Sequence, residues 1–558
     1  MDLVEREHPD VGVNAGLAAS FAVLTRLWRR APASVAAVLR DAQAGAWSAW
    51  CLRRLLGRVR GDVDLAVDLA YLGGFALAAA RSVGVDAEAA VPVRAGWIIV
   101  PTLGRVRLGD AASFGVANAS HASGRLRFEY GGRVVEFGFD GTAAQDSGWE
   151  PLCRLVVDDP ERFAVTLDDI SPYRRLFGRP PADRLDAVQQ RWWQDMLAGA
   201  WQVLSYRHPG WAAAIGSTVT ELVPLVPDSA GTGVSATARD AVGVVALAPP
   251  ADPAGFAATL VHEVQHSRIN ALHDVTALYA DAAGRSYYSP WRDDPRPLGG
   301  LLHGCVAFLG VADFWRVERA EPEHSEFAEL EFALLAQQVR VGYRTLSRAT
   351  GELTPAGRRV AASIGPVLRR WSAEPVAERS RRLARDLVAD HAIAWRLRNL
   401  RPDPNLVARL VDAWTAESGR GAVTRTAGKR NGQTLADAGA AEPSTVLMAE
   451  SSLRRLARSP RTGSAGHLPD GDEADRYLVD GDYRRAAVLY GLRIEHDAAD
   501  TRAWIGLAIS TDRAHDGETS LSRAPELLVA LSQLVTPRPD PRELASWLDR
   551  HLPAGTGS

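Results

Sequence analysis

Residues Thr259–Leu272 read TLVHEVQHSRINAL. The two histidines, His262 and His266, stand four positions apart, and neither glycine nor proline occurs between Phe256 and Tyr279, so the pattern predicts one continuous helix through the stretch. Residues i and i+4 share a helix face with Cβ atoms about 5–6 Å apart, a spacing at which two imidazoles suit one small divalent ion. Just upstream, VGVVALAP (Val242–Pro249) reads as a short strand that stops at Pro249, Pro250 and Asp252. A strand, a turn and a helix in succession would present helix residues at a cleft. Five of the 13 histidines fall between His262 and His324, which strengthens the expectation of a metal site.

Working outward, the pattern divides the chain into five regions. Residues 1–92 carry apolar residues at helical spacing (LAASFAVLTRLWRR, WSAWCLRRLL, VDLAVDLAYLGGFALAAARSV), predicting three successive helices. Residues 93–182 shift to alternation, and in RLRFEYGGRVVEFGF the pair Gly131–Gly132 separates two alternating runs as a tight hairpin does. Residues 183–416 read as a helical domain carrying the His-Glu-x-x-His motif, and its first helix, Asp183–Arg207, holds Trp192, Trp193 and Trp201 as core packing. Residues 417–475, rich in Ala, Gly, Ser, Thr, Arg and Asp, have the composition of a flexible linker. Residues 476–558 form a short helical tail that resembles a tetratricopeptide unit at Gly481, Tyr483, Ala487, Tyr490, Ala503, Trp504, Gly506 and Ala508; an ordinary helical hairpin fits the same pattern. The expected fold is mainly α with a small β-element, an α+β class.

Composition narrows the partners. With 46% hydrophobic residues among 558, the chain folds around real cores. Its 64 basic and 67 acidic residues give a net charge of -3, which offers no electrostatic case for nucleic acid or an anionic membrane. The three cysteines, Cys51, Cys153 and Cys305, form neither a disulfide framework nor a thiolate zinc site. The opening MDLVEREHPDVG lacks the basic start and apolar core of a signal peptide. No segment reads as about 18 uncharged apolar residues in a row, so a cytoplasmic protein is expected.

A mononuclear metal site needs a third protein ligand. A continuation with glycine at 269 and histidine at 272 is excluded, because Ile269 and Leu272 stand there. Glu318 or Glu323 would serve as a carboxylate ligand from a second helix. His303, in RPLGGLLHGCVAFLGVADFW, is the stronger candidate, since an unpaired imidazole inside an apolar helix would be costly; a core histidine bonded to a carbonyl is the plainer alternative. His273 follows His266 on the same face about 10 Å further along and reads as an outer or surface residue.

The stretches LVHEVQHSRINALHDVTALY and YYSPWRDDPRPLGGLLHGCVAFLGVADFWR resemble the HExxH-motif proteins encoded beside ribosomally made peptides, regarded as iron(II)- and 2-oxoglutarate-dependent peptide β-hydroxylases. The likeness spans about residues 235–354 and rests on HSRINAL directly after the motif and on a DPRPL loop leading into the helix of His303. It implies an iron held by His262, His266 and His303, with 2-oxoglutarate as co-substrate and a precursor peptide as substrate. It also implies an arginine for the far carboxylate of the keto acid, Arg296 first and Arg292 second; the alternative is that Arg296 pairs with Asp293 or Asp294 to pin its loop. Tyr287 and Tyr288 would donate hydrogen bonds at the pocket mouth. Glu263 would orient a ligand or substrate in such an oxygenase. In a zinc peptidase, the competing hydrolytic reading, Glu263 would be the base that deprotonates a metal-bound water. A third reading is a non-catalytic scaffold whose helical ends recruit other peptide-maturation proteins.

Overall fold

The computed structural model of the protein describes residues 2–138, 148–177, 179–227, 234–280, 285–323, 325–418, 434–435, 452–458 and 472–551. The chain divides into two compact units, Met1–Ala271 and Leu272–Ser558. The division falls inside the helix Pro253–Val275 that carries the His-Glu-x-x-His motif.

The first unit opens with helices and continues into sheets. Seven helices, rather than three, lie between Asp2 and Val83. Proline at the first helical position starts Pro9–Asn14 and Pro32–Leu39, while Asp41 and Asp64 cap the helices Ala42–Leu55 and Leu65–Leu69 by accepting from Gln43 and Ala66 backbone N–H groups. Seven strands follow: β1 (Ala87–Arg94), β2 (Trp97–Val100), β3 (Gly104–Arg107), β4 (Gly115–Ala122), β5 (Arg125–Tyr130), β6 (Arg133–Gly138) and β7 (Trp149–Pro151). They form one antiparallel sheet in the order β6-β5-β4-β1-β2-β3-β7. Tyr130 pairs with Arg133 across the expected two-residue turn, in which Gly131 and Gly132 both take positive φ (57° and 75°), the geometry that joins twisted strands without splaying them. Leu126 and Phe128 of β5 face a core shared with Leu27, Phe75 and Leu77 of the preceding helices.

A second sheet makes the β content larger than the small element expected. Its strands are β8 (Cys153–Val157), β9 (Phe163–Leu167), β10 (Glu221–Pro224), β11 (Ser235–Ala236) and β12 (Val244–Leu247), in the order β11-β12-β10-β9-β8. The inner pairs β9–β10 and β10–β12 are parallel and the outer pairs antiparallel. The capping box of Asp186 and Gln189 starts the helix Ala187–Arg207, whose Trp193 and Trp201 are buried while Trp192 is exposed. Gln194 from this helix accepts from the backbone N–H of Val156 (3.0 Å) and donates to its carbonyl (2.7 Å), so a side chain stands in for a neighbour along the edge strand β8.

The second unit is helical. The helices Ser325–Arg348, Glu378–Asn399 and Pro404–Ser418 share one core with Ser452–Arg458 and with the tail helices Glu473–Asp480, Tyr483–His496, Thr501–Ala514, Pro525–Leu534 and Pro541–His551. Leu330, Leu383, Trp414, Leu453, Tyr490 and Trp504 all belong to it. Of the span expected as a linker, 419–433, 436–451 and 459–471 lie outside the described residues; within it, Ser452–Arg458 is a helix whose Arg458 pairs with buried Glu331. Among the described residues, two stretches are long and apolar enough to cross a bilayer, Leu65–Val83 and Leu298–Glu318. The greater part of each is buried inside the protein, 78% and 67%, as in a core helix.

Candidate metal centre

The buried strand β12 ends at Leu247. After the turn, Asp252 Oδ1 accepts from the backbone N–H of Gly255 (2.7 Å), and Pro253 begins the helix. Phe256, Leu260, Val261 and Val264 bury one face of that helix in the first unit, which fixes its rotation and so the direction of its histidines.

Four residues apart, the rings of His262 and His266 meet at 4.7 Å between centroids and 78° between planes, with Nε2 to Nε2 at 3.1 Å. Two metal–nitrogen bonds of about 2.1 Å to one ion, at an angle of about 95°, reproduce that separation. Burial of the His262 ring, 12% exposed, pushes its pKa down to about 4. The imidazole is therefore neutral at neutral pH, the form that donates a lone pair to a metal. The pair fits as half of a metal site. Among the described residues, no group of three or more His, Cys, Asp or Glu side chains is gathered closely enough to hold a metal ion.

Glu263 lies between these histidines in sequence and is buried. Its Oε1 accepts from the Ser235 hydroxyl at 2.6 Å and stands 3.9 Å from His262 Nε2. Oε2 is buried with no hydrogen-bond partner. Burial pushes this carboxyl up to about 7, against the Ser235 hydroxyl, which favours the ionised form. No local signal in the sequence ties Ser235 to a partner 28 residues later.

In the second unit, His273 Nδ1 accepts from the backbone N–H of Leu278 (3.3 Å), and its ring stacks on Tyr279 at 4.5 Å. Tyr279 also approaches His303, with its hydroxyl 3.5 Å from His303 Nε2. His303 is half-buried with this polar neighbour, which weakens the argument from an unpaired buried imidazole. Glu318 is buried and Glu323 exposed. Both arginines of the loop lie on one carboxylate: Arg292 Nε donates to Asp294 Oδ1 at 2.9 Å and Arg296 Nη1 to Asp294 Oδ2 at 3.2 Å. Arg296 thus pins the loop, and its backbone pairs with that of Tyr287. Tyr287 donates its hydroxyl to Glu352. The Tyr288 hydroxyl meets His391 Nδ1 at 2.8 Å, and Asp293 stands 3.9 Å from His391 Nε2. His391 was not singled out in the sequence, because a histidine within an amphipathic helix 103 residues away carries no local signal. Compared with protein-family models and with curated proteins, the chain matches none.

Proposed function

We propose that the chain is an iron(II)- and 2-oxoglutarate-dependent oxygenase that hydroxylates the β-carbon of a residue in a ribosomally made precursor peptide in the cytoplasm. The observation that carries the metal assignment is the convergence of His262 and His266, Nε2 to Nε2 at 3.1 Å, with His262 held neutral by burial. The oxidative assignment rests on the resemblance of residues 235–354 to the peptide β-hydroxylases. In this reading His303 completes the ligand set. A bound iron with 2-oxoglutarate and O2 would supply the oxidation, one oxygen atom entering a C–H bond to leave C–OH and the other ending in succinate as carbon dioxide is released. His262 and His266 would hold the iron through their Nε2 lone pairs, and Glu263, with Oε1 3.9 Å from His262 Nε2, would orient a ligand or the substrate. Arg296, or Arg292, exchanges Asp294 for the far carboxylate of the keto acid, and Tyr288 helps to line the site. The tail, residues 476–558, would recruit other peptide-maturation proteins.

One observation favours a second reading, a zinc peptidase. A buried carboxylate pushed up to about 7 beside His262 suits a general base working near neutral pH. The test is to purify the chain anaerobically, measure iron and zinc, and follow succinate formed from 2-oxoglutarate with peptides encoded near the gene. Iron at one per chain and keto-acid turnover, both lost in His303→Ala, support the oxygenase. Peptide cleavage without any keto acid overturns it in favour of the peptidase.

A further inference from the structure

We propose that the exposed face running from Glu5 to Arg30 is a pairing surface on which two copies of the chain meet about a two-fold axis, each helix Leu17–Arg30 antiparallel to its counterpart. The inference is independent of any metal at the motif helix.

The helices Asp2–Glu7, Pro9–Asn14 and Leu17–Arg30 build the face. Leu17, Ser20, Leu24 and Leu27 are buried and fix the rotation of the third helix, which leaves Ala18, Phe21, Ala22, Arg26, Trp28 and Arg29 outside. No charged residue occurs from Val11 to Thr25. An ordinary surface helix keeps its outer side polar, whereas here Val13 is 79% exposed and Phe21 and Trp28 are about half exposed. Val4, Glu5, Pro9, Val13, Leu17 and Ala18 line an apolar hollow of about 370 Å3. Further along the same helix, Phe21, Thr25, Arg26, Arg29 and Arg30 line an open groove. Apolar surface of this kind, rimmed by charge, marks an interaction site.

The charges at the two ends decide the partner. Glu5 and Asp10 are exposed at one end, with Asp10 one turn before Val13. Arg6, between Glu5 and Glu7, leaves its helix net acidic. Arg26, Arg29 and Arg30 are exposed at the other end, Arg26 reaching the Asp86 carbonyl at 3.2 Å. Arginines in a last turn also suit the helix dipole, but that role explains neither the acids at the far end nor the uncharged stretch between. An acidic peptide or an anionic membrane laid along the whole face would meet Glu5 and Asp10 with like charge. A second copy turned about a two-fold axis meets each end with its opposite, because such an interface brings residue i onto j and j onto i. Ala18, Phe21 and Ala22, between the two ends, then lie near the axis.

Sedimentation velocity on the full chain reads this directly. The mass should rise reversibly from 60.1 kDa toward twice that value as concentration is raised. Arg26→Glu with Arg29→Glu makes both ends acidic, and Glu5→Arg with Asp10→Arg makes both basic. Each pair of changes should weaken pairing about tenfold or more, since like charges are brought together. An equimolar mixture of the two reversed chains should pair again, because each offers the ends that the other lacks. Ala22→Glu, at an exposed position where the new carboxylate gains Arg26 four residues on, should keep the far-UV circular dichroism of the parent and lose the pairing. The pairing surface is refuted if the parent chain stays at 60.1 kDa throughout, if either reversed chain or Ala22→Glu pairs as the parent does, or if the mixture fails to restore what each reversed chain has lost. Should a reversed chain lose its circular dichroism signal, Ala22→Glu and Phe21→Ser decide by the same measurement. A monomer that sediments with vesicles of phosphatidylserine and phosphatidylcholine, or that binds polyglutamate, also refutes it and assigns the face to a membrane or to an acidic peptide.

Discussion

The side-chain amide of Gln43 donates to the carboxylate of Glu221, 178 residues along the chain, and both residues are buried. Glu221 shares its surroundings with Asp41 and Asp168. Burial, with Asp168 close by, pushes Asp41 up to about 7, and burial raises Asp168 and Glu221 as well. Arg174 opposes the rise at Asp168, and Tyr71 is buried against the same group of acids. In the unfolded chain such carboxyls release their protons near pH 4. Between about pH 4 and pH 7 these carboxyls therefore hold more protons in the folded chain than in the unfolded one, and their contribution to stability falls as pH rises through that window. Glu221→Gln should flatten this fall and raise stability at neutral pH. Urea midpoints measured at about pH 5 and about pH 8 check it; an unchanged difference between the two would sink the prediction.

Gln194 satisfies both backbone groups of Val156 on the edge strand β8. Gln194→Leu leaves a strand N–H and a carbonyl without partners, a loss of about 1 kcal/mol for each bond, about 2 kcal/mol in all. It also uncovers a strand edge on which other chains can pair. Chemical denaturation and light scattering should show a lower midpoint and more association than Gln194→Glu, which loses only the donor. Identical behaviour of the two variants counts against this account.

Arg502 lies between two buried acids, Asp390 and Asp475, and its guanidinium also reaches the Tyr490 hydroxyl at 3.4 Å. Arg502→Met removes the countercharge that the two buried carboxylates share, which should cost about 3–5 kcal/mol. Arg502→Lys keeps the charge but not the planar fork and should fall between. Thermal unfolding of the two variants ranks them; a methionine variant as stable as the parent would show that the cluster contributes nothing net.

A Cβ added at Gly506 would lie 2.2 Å from the Tyr490 ring, and that ring is held by its hydroxyl on Asp475. Gly506→Ala must move a ring that has nowhere to go, at about 1–3 kcal/mol. In a double-mutant cycle with Tyr490→Leu, which removes the obstruction, the two losses should be markedly less than additive. Simple additivity would mean that the ring and the glycine do not constrain one another.

The motif helix was legible because its signals are local: histidines four apart, a proline and an aspartate at its start, and no breaker within it. The hairpin at Gly131–Gly132 was legible for the same reason. By contrast, β10 is a short buried strand with parallel neighbours on both sides, and its ELVP shows no alternation to separate it from a loop. Apolar periodicity alone merges the early helices into three; the prolines and capping aspartates at Pro9, Pro32, Asp41 and Asp64 are what divide them. At the site, the Arg296–Asp294 pair was open to sequence reasoning, being two residues apart. The Ser235–Glu263 and Tyr288–His391 contacts were not, since only the fold brings such distant residues together.

The single core joining Ser325–Ser418 to the tail has a practical edge. A shortened version ending before residue 452, cut to isolate the motif-bearing portion, would bare Leu330, Leu334, Leu383 and Trp414 to water. Those residues would then seek other chains, and the trimmed product would precipitate for reasons unrelated to its chemistry. The last hundred residues are as much a part of the body that carries His303 as the helices around it, so fragments meant for assay or crystallisation should keep them.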